Sequence, residues 1–70
     1  MKVNTAKEHL ARIPMPKTDK EFEAAWKRSE ELRKWVVHGS DSQEAKDQFD
    51  DAVSRKQEEL ETYWRSRRSA

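Results

Sequence analysis

A chain of 70 residues, 41% charged and 33% hydrophobic and without a cysteine, has room for one domain over 1–70 and excludes disulfide staples and thiolate chemistry. Fifteen basic residues nearly cancel 14 acidic ones, leaving a net charge of +1; with a mean hydropathy of -1.31 this favours salt-bridged helices over disorder. No apolar run approaches the roughly 18–20 residues of a membrane span, and Met1–Leu10 lack the apolar stretch of a signal peptide, so no membrane contact and a cytoplasmic location are expected.

Thr5-Ala6-Lys7-Glu8 has the spacing of a capping box, in which the hydroxyl accepts from the N3 amide while the Glu reaches back. It predicts a short helix over 5–13 whose apolar residues are Leu10 and Ile13. Pro14 ends this helix, and Pro16 keeps 14–17 extended. So short a helix is marginal alone, so Val3, Leu10, Ile13 and Met15 must dock on the rest of the chain.

Thr18-Asp19-Lys20-Glu21 is a second capping box and opens a helix over 18–38. Phe22, Ala25, Trp26, Ser29, Leu32 and Val36 recur at i, i+3, i+4 and i+7. Arg33, Lys34 and His38 in the last turns suit the helix dipole. Gly39, the single glycine, falls where a helix end favours φ > 0 and predicts a turn at 39–40. Ser40-Asp41-Ser42-Gln43 is the third cap signal. The last helix is expected over 41–67, about 40 Å long at 1.5 Å per residue. Its apolar residues are Ala45, Phe49, Ala52, Val53, Leu60, Tyr63 and Trp64, and Lys56 interrupts the stripe.

A link this short makes the two long helices antiparallel neighbours. One continuous helix through Gly39 is the competing reading. Charge favours the hairpin: each long helix starts acidic (Asp19, Glu21, Glu23; Asp41, Glu44, Asp47, Asp50, Asp51) and ends basic (Arg33, Lys34; Arg65, Arg67, Arg68). The expected fold is all-α, an antiparallel two-helix hairpin preceded by a short N-terminal helix. Phe22, Trp26, Leu32, Val36, Phe49, Val53, Leu60 and Trp64 are its core or dimer residues. Both stripes are wider than one helix–helix seam needs, and a domain this small has little core to spare. Stacking two hairpins into a homodimeric four-helix arrangement would bury the excess.

Nothing in the sequence assembles a catalytic constellation. His9 and His38 are far apart and lack partners at metal-ligand spacing. The carboxylates recur with Lys or Arg four residues on (Glu23/Lys27, Glu30/Lys34, Glu61/Arg65), which is helix support. A two-helix hairpin leaves no room for a pocket, and no phosphate-binding or dinucleotide fingerprint occurs. The expectation is no enzyme, no metal and no cofactor.

Arg65-Ser66-Arg67-Arg68 beside Tyr63 and Trp64 combines basic and aromatic residues, a nucleic-acid signature. The acidic start of the last helix would repel phosphate, so nucleic acid is the alternative and a protein partner the leading expectation. Three tryptophans in so polar a chain carry more information. Trp26 sits on the core stripe. Trp64 falls where Phe22 and the Ile13–Met15 segment can cover it. Trp35, flanked by Val36 and Val37 near the tip, is hard to bury inside one hairpin, and Trp is a frequent interface anchor. The candidate partner-binding residues are therefore Trp35 and Val37, with Arg67 and Arg68 supplying steering charge.

In architecture over Thr18–Arg67 and in high charge, the chain resembles small phage-encoded or mobile-element helical-hairpin proteins that bind and inhibit a host protein, anti-activators of transcriptional regulators among them. The resemblance implies an interaction module that regulates or inhibits a larger intracellular partner. It carries over no individual residue. A structural subunit of a larger assembly is the remaining alternative.

Overall fold

The computed structural model describes residues 2–69. Three helices follow one another, α1 (Val3–Ala11), α2 (Asp19–Val37) and α3 (Gln43–Ser69), and no strand occurs among the described residues. The chain is all-helical, as its periodicity predicts.

The observed boundaries differ from the expected ones by no more than two residues at every end. α1 starts at Val3, not at Thr5, and Thr5 lies inside the helix. Its N-cap, Lys2, has no capping side chain. The Val3 amide instead donates to Asp41 Oδ2 at 3.0 Å, so a carboxylate from the α2–α3 link caps α1 and faces its positive dipole end. After Ala11 the chain turns, with Ile13 N donating to Leu10 O at 3.2 Å, and Ile13–Pro16 run without regular structure.

α2 is capped by Thr18, whose Oγ1 accepts from Glu21 N at 3.1 Å. Glu21 Oε2 accepts in return from Lys17 N at 2.8 Å, one residue before the donor a capping box ordinarily uses. α2 ends at Val37 with His38 in the right-handed region. Gly39 does not adopt the positive φ expected of it: its amide continues the helical sense by donating to Val36 O at 3.0 Å. The link is longer than the expected 39–40 turn and runs over 38–42. Ser42, not Ser40 at the head of the expected cap signal, caps α3, its Oγ accepting from Ala45 N at 3.2 Å. Asp41 is committed elsewhere, to α1.

The contacts between α2 and α3 descend along one helix as they ascend along the other. Phe22 lies against Trp64, Ser29 bonds Gln57, Arg33 meets Ser54 and Asp50, and Lys46 Nζ reaches Val37 O. The molecule measures 43 × 17 × 15 Å, its long dimension close to the length of α3 at about 1.5 Å per residue. α1 packs across both long helices. It contributes Val3, Ala6 and Leu10 to a buried cluster with Ile13, Ala25, Leu32, Val36, Phe49, Val53 and Leu60.

Within this core Ser29 is fully buried and Gln57 is 8% exposed. Gln57 Nε2 donates to Ser29 Oγ at 2.9 Å, and Ser29 Oγ donates to Trp26 O at 2.6 Å. Gln57 also reaches Glu30 Oε1 at 2.6 Å, and Glu30 accepts from Arg33 at 3.2 Å. Arg33 then spans to α3, with Nε 2.7 Å from Asp50 Oδ1. That contact is ionic only, because the buried Nε–H points off the line to the carboxylate. The expected interruption of the α3 stripe at Lys56 is thus a buried polar layer centred one residue later.

Candidate functional site

The face positions of α2 follow from its pitch. Each residue turns the helix by about 100°, so Trp35 and Arg28, seven apart, share a face. Trp35 and Val37, two apart, point about 200° away from each other. Val36 between them is buried. Trp35 is 40% and Val37 56% exposed, so both remain open, but they form two separate surfaces and not the single patch expected at the tip.

Trp35 is held by Arg28, whose guanidinium carbon lies 5.3 Å from the ring centroid. Arg28 also approaches Glu31 Oε2 at 3.7 Å. One turn further back, the same face of α2 presents Ala24 and Ala25 to the extended segment after α1. Here the structure departs from the expectation that no pocket exists. A groove of about 380 Å³ opens between Ile13–Pro16 and α2, with Ala24, Ala25 and Arg28 on one side and His9 and Arg12 on the other. The two long helices alone could not make it; the docked N-terminal segment supplies its second wall.

The opposite flank of α2 carries aromatic rings. Phe22 stacks on Trp64 with centroids 5.7 Å apart and meets Trp26 at 6.0 Å. Phe22, Trp26 and Trp64 are each only half-buried, whereas Trp26 was expected in the core. The core stripe of α2 is Ala25, Ser29, Leu32 and Val36, and Trp26 sits one residue to its side. Phe22 and Trp26 floor a second, shallower groove rimmed by Glu23, Lys27, Glu30 and Glu61. Phe22 covers Trp64 as expected, but Ile13–Pro16 lie on the far side of α2 from it. The other expected core residues, Leu32, Val36, Phe49, Val53 and Leu60, are buried.

Arg67 and Arg68 lie in the last turn of α3 and are exposed. Arg67 donates to the Tyr63 hydroxyl at 3.4 Å and lies 5.9 Å from the ring centroid. Trp35 is level with the first turns of α3, so the arginines stand on the order of 25 Å further along that helix. The four candidate partner-binding residues are therefore not brought together. Sequence reasoning missed Gln57 and the N-terminal groove. Gln57 was findable, since it follows Val53 by four residues and precedes Leu60 by three; the groove had no local signal.

Among the described residues no group of three or more His, Cys, Asp or Glu side chains is placed to hold a metal ion, and no helix is long and apolar enough to cross a membrane. No family model, no curated protein and no solved structure matches this chain.

Proposed function

We propose that this chain is a non-enzymatic protein-interaction module, an antiparallel helical hairpin with a docked N-terminal helix, that regulates or inhibits a larger intracellular protein by occupying its surface. A transcriptional regulator is the partner type that the resemblance to phage-encoded helical-hairpin inhibitors implies. The observation that carries this reading is Trp35, which keeps 40% of its surface exposed while Arg28 holds the ring in place. An oriented aromatic at the surface is what interface anchors supply, because such a ring brings large contact area at low entropic cost. Arg67 and Arg68 contribute steering charge from the far end.

The half-buried rings of Phe22, Trp26 and Trp64 on the other flank support pairing with a second copy in a four-helix arrangement. One face of α2 would then serve self-association and the other the partner.

The test is affinity capture from native host cells, followed by reconstitution with the purified captured protein. Trp35→Ala is expected to abolish capture and to weaken reconstituted binding at least tenfold, with an unchanged melting temperature. Undiminished binding by that variant would overturn the assignment. A second reading, nucleic-acid binding, is favoured by exposed Arg67 and Arg68 beside Tyr63. It predicts a salt-sensitive gel shift with short duplex or single-stranded DNA, and no shift at micromolar protein in low salt removes it.

A further inference from the structure

The groove between Ile13–Pro16 and α2 combines an apolar floor with a basic rim. Ile13 and Ala25 are buried beneath it, Met15 is half-buried, and Ala24 is exposed along its wall. Two guanidinium groups, Arg12 and Arg28, stand over this floor. Arg12 makes no ion pair or side-chain hydrogen bond among the described residues, whereas Arg28 lies over the Trp35 ring and pairs with Glu31 at 3.7 Å while its side chain stays 41% exposed. The lining holds one carboxylate, Glu21, which accepts from the Lys17 amide at the start of α2 and keeps its negative charge. Two guanidinium groups against that one carboxylate leave the lining net positive by one charge. The same bias runs through the segment that builds it, since residues 1–20 hold five Lys or Arg against two carboxylates, while the chain as a whole is nearly neutral.

From this geometry we infer that the groove is a docking site for an acidic peptide segment that carries a bulky apolar side chain. The apolar side chain enters over Ala24 and Met15 and the flanking carboxylates meet Arg12 and Arg28. Trp35, stacked on Arg28, extends the same surface toward the tip, so the site is continuous with the proposed partner face. Nucleic acid fits less well: phosphate would use the two arginines but leave the apolar floor of Ile13, Met15, Ala24 and Ala25 uncovered, and the nearby Trp35 ring lies outside the groove with Arg28 on its face. Opposite charges at a rim act on encounter and specificity, and the apolar contact at the centre sets lifetime.

This inference rests on the interaction-module reading, and its test separates the two. The probe is a short synthetic peptide with Phe and Leu set among Asp and Glu, titrated into the full ¹⁵N-labelled chain and followed by amide chemical shifts. Saturable shifts are expected at His9, Ile13, Met15, Ala24, Ala25 and Arg28. Arg12→Glu combined with Arg28→Glu should weaken binding by about tenfold or more. Ala24→Leu, at an exposed position that leaves both charges intact, should fill the groove and give a loss of the same order. Replacing Phe and Leu of the peptide by Ala should abolish binding.

Absence of saturation at millimolar peptide overturns the inference. So does binding that survives Ala24→Leu or persists with the all-Ala peptide, since either means unspecific charge attraction. Equal shifts at the same residues from a short DNA duplex overturn it in favour of a phosphate site. If the peptide fails while Trp35→Ala still abolishes partner capture, the inference falls and the module reading stands. If the peptide binds as described while Trp35→Ala leaves capture untouched, the groove inference stands and the assignment of Trp35 as the partner anchor falls.

Discussion

The amide of Val3 donates to the carboxylate of Asp41 at 3.0 Å, across 38 residues of chain. Through this bond the α2–α3 link supplies the N-terminal cap that α1 cannot provide for itself. A nine-residue helix is marginal in water, so α1, and with it one wall of the groove, depends on the turn at the opposite end of α2.

Replacing Asp41 should therefore loosen α1 before anything else. Asp41→Ala is expected to cost roughly 0.5–2 kcal/mol, the usual range for a lost cap. Amide hydrogen exchange should accelerate in Val3–Ala11 while Leu32, Phe49 and Val53 keep their protection. Asp41→Asn retains an accepting oxygen and should restore most of the protection. Uniform acceleration across all three helices would contradict a local role.

The Ser29–Gln57 layer makes an asymmetric prediction. Gln57→Ala removes the donor to Ser29 Oγ and Glu30, which keep their bonds to Trp26 O and Arg33, and leaves a cavity in the core; together these should cost about 1–3 kcal/mol. Ser29→Ala together with Gln57→Leu removes both polar groups and should be close to neutral. Urea melts of the single and double variants give the coupling directly, and additive losses would mean that the two side chains do not act as a pair.

If Phe22, Trp26 and Trp64 form the self-association face, Trp26→Ala and Trp64→Ala should each shift the protein toward monomer in sedimentation velocity. Both residues are half-buried, so helix content should be retained at the protein concentrations used. Trp35→Ala, on the other flank, should leave the sedimentation coefficient alone. A wild-type chain that sediments as a monomer throughout the micromolar range would remove the dimer from the proposal.

Arg67 and Arg68 lie far from Trp35, so their contribution should appear in rates more than in lifetimes. Replacing both by Ala is expected to lower the association rate with the captured partner several-fold at low salt. The difference should vanish as added salt shortens the Debye length to a few Å. A change confined to the dissociation rate would place these residues inside the interface instead.

The helices themselves were legible because their signals are local. Pro14, Thr18 with Glu21, and Ser42 act within a turn or two of their own positions, and Leu32, Val36, Phe49, Val53 and Leu60 announce their burial by spacing alone. The opposed directions of Trp35 and Val37 were also available, since they follow from a two-residue step on a helix. Trp26 was harder, because a ring one position off the buried stripe reads much like a core residue.

Tertiary structure decided the rest. Whether Asp41 caps the helix beside it or one 38 residues away depends on where α1 docks, and no local pattern encodes that choice. Gln57 is tolerated in the core because Ser29 and Glu30 of α2 stand opposite it and accept from its amide. The groove exists because the extended Ile13–Pro16 segment comes to rest against α2. The chain's spacing and punctuation determined three helices and most of what they bury; the long-range contacts of Val3, Ser29 and Ile13 determined which polar groups are held and which surface is left open to be filled.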